Sequence, residues 1–96
     1  MANPFRVELT PTARRQLDKL APALQHRLTT AMSRLGVDPL PSGAKRLRGS
    51  DGVLRIRVGD YRILYRVIDD RLVVLVIRVG HRREVYRGMA RRLLGR

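Results

Sequence analysis

Guanidinium chemistry dominates this sequence. Of its 21 basic residues, nineteen are arginine and two are lysine. Arginine presents a planar fork of donors that binds phosphate bidentately, although a GC-rich genome produces the same excess. The most informative arginines are Arg55, Arg57, Arg62 and Arg66, which flank a Gly59-Asp60 dipeptide. Apolar residues alternate with them on both sides, and Gly-Asp is a two-residue hairpin turn signal. That turn sets a register in which Val58 faces Tyr61, Arg57 faces Arg62, Ile56 faces Ile63 and Arg55 faces Leu64. One face then gathers Leu54, Ile56, Val58, Tyr61, Ile63 and Tyr65, and the other gathers the four arginines. Like charges directly opposite each other destabilise a sheet by a few tenths of a kcal/mol or more, a cost that a bound anion relieves. A merely solvated face would mix signs, whereas this one has no acid except Asp60 at the turn. A phosphate site is the expected chemistry.

Other chemistries find little support. His26 sits between Leu24 and Leu28 as a surface polar residue. His81 follows Gly80, where the expected last strand stops beside Arg82, close to the arginine cluster. Two histidines, no cysteine and eight scattered carboxylates assemble no metal site. No Gly-x-Ser-x-Gly, Walker loop or paired-carboxylate pattern is present. Tyr86 has two readings: a core-facing aromatic, or a ring that stacks on a base or hydrogen-bonds to a phosphate.

The elements that must position these residues follow from periodicity. Phe5 to Leu9 alternates as a short strand. Thr10-Pro11 reads as an N-cap with proline at the first helical position. Ala13, Leu17, Leu20, Leu24, Leu28, Ala31 and Leu35 recur at helical steps, divided by Pro22 into two helices, with Gly36 expected as the second helix's C-cap. Asp38 to Gly43 is irregular, followed by the basic run Lys45-Arg46-Leu47-Arg48. Strands are expected over Val53–Val58, Tyr61–Ile68 and Leu72–Ile77, the last an unbroken apolar run covered on both faces and ended by Gly80. Val85, Met89 and Leu93 predict a short amphipathic helix over Arg83–Leu94. The order β-α-α-β-β-β-α gives an α+β fold: a twisted, mostly antiparallel four-stranded sheet with a helical hairpin on one face.

The chain has 96 residues and a net charge of +13, so a polyanion is the default partner; nucleic acid is the commonest, and an acidic protein satisfies the same field. One domain over residues 1–96 is expected at this length. The absence of cysteine excludes a disulfide scaffold. No apolar run approaches the ~18 residues that span a membrane, and the start has no secretory apolar region, so the expectation is a soluble, cytoplasmic protein.

Four stretches together carry a family likeness: Leu47-Arg48-Gly49, Leu54 to Tyr65, Val76 to Arg82 and Glu84-Val85-Tyr86. With the Ala13–Leu20 helix pattern and the Asp38-Pro39 loop, the chain resembles the RelE branch of the RelE/ParE toxin superfamily over nearly its whole length. The resemblance implies a type II toxin that enters the ribosomal A site and cuts mRNA, without metal or cofactor. It also implies a cognate acidic antitoxin that wraps the toxin and occludes the active face. Catalytic positions carried over from the family fall on Arg55, Arg57, Arg62, Arg82 and Tyr86. RNA-binding positions are expected at Lys45, Arg46, Arg48 and His81.

One departure bears on mechanism. The best-studied pattern has lysines where this chain has Arg55 and Arg57, and arginine is effectively never deprotonated. The general base is therefore open, with Tyr86 and His81 the only nearby groups whose protons can move. Two other functions compete with the ribonuclease: a ParE-like DNA gyrase inhibitor, and a non-catalytic RNA-binding module. The resemblance favours the ribonuclease over the first, since the gyrase-directed branch generally lacks the Arg82–Tyr86 pairing. A shortage of exposed aromatics counts against the second, because Phe5, Tyr61 and Tyr65 belong to the core face.

Overall fold

The computed structural model describes residues 4–87. Strand β1 (Arg6–Leu9) leads into helices α1 (Pro11–Asp18) and α2 (Pro22–Val37). Strands β2 (Lys45–Arg46), β3 (Leu54–Val58), β4 (Tyr61–Ile68) and β5 (Val73–His81) follow, and the 3-10 turn Arg82–Tyr86 comes after β5. The sheet order is β1-β5-β4-β3-β2. β1 runs parallel to β5, and every other pairing is antiparallel.

The helical hairpin begins as its residues dictate. Thr10 Oγ1 accepts the Ala13 N–H at 3.1 Å and donates its own proton to the Ile77 carbonyl at 2.7 Å. The same hydroxyl thus caps α1 and ties it to β5, a cap worth about 1 kcal/mol. Gln16 Oε1 adds a second tie by accepting the Val79 N–H at 2.8 Å. Pro11 and Pro22 each open a helix, where the missing N–H costs nothing. Between the helices, Gln25 Nε2 donates to the Leu20 carbonyl at 2.8 Å.

The two helices bury Ala13, Leu17, Leu28, Met32 and Leu35 against Leu54, Ile56, Ile63, Tyr65, Val74, Val76 and Val79 of the sheet. A smaller cluster of Val53, Leu64, Ile77 and Val85 lies apart from this core, with Tyr86 and Leu47 packed on it. The sheet is thus covered in part on its second face, which is why β5 carries an unbroken apolar run. A register shift on β5 serves both clusters: Leu64 pairs with Arg78 and Tyr65 with Val76, leaving Ile77 as the extra residue of a bulge.

Several expectations need correction. The sheet has five strands, because Lys45 and Arg46 pair with Arg55 and Leu54 to form β2. A two-residue strand shows no period of its own, so only the edge of β3 defines it. Gly36 does not cap α2; it lies buried inside the helix, which runs to Val37 and closes at Asp38. The Gly36 carbonyl instead accepts the Phe5 N–H at 3.0 Å, and this contact joins the helix end to the start of β1. Leu72 precedes β5 in a left-handed conformation with φ 54°.

Gly80 does not end β5, which continues to His81. Its missing side chain answers a close approach, since a Cβ there would lie 2.9 Å from Val85 Cα. Residues 82–86 form a 3-10 turn rather than the first turn of an α-helix. The rest of the expected tail helix, including Met89, Leu93 and Leu94, falls outside the described residues.

Candidate nucleic-acid interface

The β3–β4 hairpin has the register that its Gly-Asp turn demands. Val58 pairs with Tyr61, Arg57 with Arg62, Ile56 with Ile63 and Arg55 with Leu64. Gly59 takes φ 61°, a conformation open to glycine at no steric cost. The alternation buries Leu54, Ile56, Ile63 and Tyr65 under the helices and turns Arg55, Arg57, Arg62 and Arg66 to the second face. Arg57 is exposed, and the other three are half-buried.

At the hairpin end, Arg57 and Arg62 meet the turn that follows β5. Arg57, Gly59, Asp60, Arg62, Arg82 and Arg83 line one cleft of about 370 Å³. Arg82 reaches it through an unusual backbone, with φ 46°. Its N–H donates to the Asp60 carbonyl at 2.9 Å, and its Nη2 lies 3.6 Å from Asp60 Oδ1. Three of the expected catalytic arginines thus line a single cleft. Arg83 and Asp60 join them without having been expected there. Asp60 was legible as the one acid at the turn, whereas nothing in the spacing marked Arg83.

The remaining expected residues are distributed around this cleft. Arg55 lies two residues from Arg57 on the same face, about 7 Å along the strand. It lines a different space: a groove of about 840 Å³ between α2 and the β2–β3 edge, shared with Arg27, Arg34, Lys45 and Arg57. Lys45 pairs with Arg55, while Arg46 pairs with Leu54 and so sits at a core-face register position; both are exposed. Arg48 is exposed in the loop that Ser50 closes by donating to the Leu47 carbonyl at 2.6 Å.

His81 is placed differently from expectation. It pairs with Tyr61, and its ring meets the tyrosine edge-on with centroids 5.3 Å apart. Directly paired residues share a face, so His81 belongs with the Tyr61 side and not with Arg57 and Arg62. Tyr86 is half-buried against the cluster around Leu64 and Val85. Its ring therefore packs on the arginine face, a position that serves both of its readings.

Sequence reasoning also passed over Arg78, hidden within an apolar run. It pairs with Leu64, placing it in one row with Arg55. Arg55 Nε and Arg78 Nε are both buried without an acceptor among the described residues. Buried donors of this kind ordinarily find a partner.

A helical hairpin on one face of a mostly antiparallel sheet and an arginine-lined cleft at a strand end define an α+β protein with a candidate anion site. The chain belongs to the ParE toxin family of type II toxin–antitoxin systems, whose profile matches residues 7–86. It is similar to the toxin RelG of Mycobacterium tuberculosis, with 39% identity over 85 residues that cover 88% of this chain and 98% of RelG. It also matches the mRNA interferase toxin RelE of Escherichia coli, at 42% identity over 55 residues, or 53% of this chain and 58% of that toxin. Among solved structures, the toxin–antitoxin complex RelBE2 of M. tuberculosis aligns with a TM-score of 0.73 and 40% identity. That alignment covers 82% of this chain and 99% of the RelBE2 chain.

Proposed function

We propose that this toxin is an endoribonuclease that cuts mRNA in the ribosomal A site, a single domain over residues 1–96 acting in the cytoplasm. The observation that carries the reading is the convergence of Arg57, Arg62 and Arg82 on one cleft. Attack of a ribose 2′-OH on the adjoining phosphate builds a crowded, more highly charged phosphorane. Fixed, charge-assisted donors stabilise that state without reorganising during the reaction. The similarity to the E. coli mRNA interferase supports the same chemistry.

Arginine cannot act as the base, so a proton must move elsewhere. With His81 paired to Tyr61, Tyr86 is the remaining candidate, at the end of the turn that carries Arg82. In-line positioning on the ribosome supplies the rest of the rate. The deciding experiment is single-turnover cleavage of mRNA on programmed ribosomes by wild type and Arg62→Ala, with circular dichroism as the folding control. A folded Arg62→Ala variant that cleaves at the wild-type rate would sink the proposed site.

The partner on this reading is an antitoxin, as in the RelBE2 toxin–antitoxin complex, and the charge of +13 calls for an acidic one. The groove between α2 and β3 offers such a segment an apolar floor of Ala31, Leu35, Ile56 and Val58 between basic walls. Gyrase inhibition is the second reading, because the matching profile is that of ParE toxins. The two part in one assay: purified toxin added to a coupled translation reaction and to a gyrase supercoiling reaction should stop only the first.

A further inference from the structure

Among the described residues, Asp60 is the only acid lining the arginine cleft, in company with Arg57, Arg62, Arg82 and Arg83. Turn chemistry asks for a short polar residue at this position but not for a charge. The Asp60 side chain and that of Arg82 are 65% and 66% exposed, and an exposed pair contributes at most about 1 kcal/mol. For a phosphate-binding cleft the carboxylate is a handicap, since it repels the ligand. What it does touch is Arg82, twice: the main-chain bond of 2.9 Å and the side-chain approach of 3.6 Å. Arg82 is also one of two non-glycine residues with positive φ among those described, a conformation that persists only where its surroundings hold it.

We propose that Asp60 is a positioning residue for Arg82. Its carbonyl holds the Arg82 backbone in the left-handed turn, and its carboxylate holds the guanidinium toward the Arg57–Arg62 pair. Before RNA binds, the carboxylate takes the place of the anion, and it yields that place when a phosphate enters. Ground-state affinity is thereby exchanged for an arginine that is already in position. The inference rests on the ribonuclease reading only for its rate effect; the ordering of Arg82 and the cost to RNA affinity stand apart from it.

Asp60→Asn keeps the carbonyl contact and suits a turn, so it removes only the charge. With a non-cleavable 2′-O-methyl RNA, the variant should bind about fivefold more tightly, the size of one carboxylate–phosphate repulsion relieved in water. Single-turnover cleavage on ribosomes should slow by up to about fivefold, the most that losing an interaction of about 1 kcal/mol costs. Asp60→Glu, which retains the carboxylate, should recover most of that rate. In the NMR spectrum the Arg82 Nη–H signal should be distinct in wild type, lost in Asp60→Asn, and displaced in wild type by inorganic phosphate. Affinity that is unchanged or lower overturns the proposal, as does a persisting Arg82 signal in Asp60→Asn. If wild type cleaves no RNA, the ribonuclease reading fails, and the binding and NMR results still decide the role of Asp60. If wild type cleaves and Asp60→Asn cleaves equally fast, the function stands and the positioning role falls.

Discussion

Arg57 and Arg62 carry an electrostatic cost by facing each other across the hairpin, and an incoming phosphate removes it. Removing one preorganised donor from such a site typically lowers the rate by about 10²–10³. Arg62→Ala and Arg82→Ala should each lose that much ribosome-dependent cleavage and abolish growth inhibition on expression, with the circular dichroism spectrum unchanged. Tyr86 tests the proton question separately. Its side chain packs on the cluster of Val53, Leu64, Ile77 and Val85, so Tyr86→Phe preserves that packing and removes only the hydroxyl. If the hydroxyl moves a proton, cleavage by Tyr86→Phe falls by about 10² or more. A wild-type rate in this variant would reduce the residue to packing.

At the scale of elements, the site depends on how closely two pieces of backbone approach. The turn after β5 rests on Gly80, where a Cβ would meet Val85 Cα at 2.9 Å. Gly80→Ala should therefore push the turn off the sheet, with a stability loss on the order of 1–3 kcal/mol by denaturant unfolding. Cleavage should fall with it, because Arg82 moves with the turn. The other face is anchored by Tyr65, whose hydroxyl donates to the Pro39 carbonyl at 2.8 Å and so holds the loop after α2. Burial, assisted by the Asp38 charge, pushes its pKa from 10.0 up to about 12. The neutral phenol is thus favoured in the folded state. Its contribution is fully present below pH 10 and is lost as pH rises through about 12, where the folded tyrosine ionises. Stability measured across that window should fall for wild type and fall less steeply for Tyr65→Phe, which also starts from a lower value.

For the whole molecule, a charge of +13 on 96 residues sets long-range behaviour. Association with an acidic antitoxin should be fast and should slow steeply as salt is raised, while dissociation, governed by buried apolar contacts, changes little. Stopped-flow measurements over a series of ionic strengths check this, and an association rate insensitive to salt contradicts it.

What the sequence determined by itself was whatever depends on local periodicity and turn chemistry. Alternation around Gly59-Asp60 specified the hairpin register residue by residue, since a slip of one would have turned every arginine into the core. Thr10-Pro11 and Pro22 likewise marked the helix starts. Tertiary structure decided what depends on remote partners. β2 exists only because Arg55 and Leu54 offer an edge, the Gly36 carbonyl takes the Phe5 N–H within a continuing helix, and Gly80 leaves room for Val85 against β5. The same distinction runs through the site. Arg57 and Arg62 were legible as a facing pair, but the chain's return after β5 brought Arg82, Arg83 and Asp60 into one cleft and placed His81 with Tyr61. Local spacing sets which side of a strand a residue occupies; only the packing of distant segments sets what it meets there.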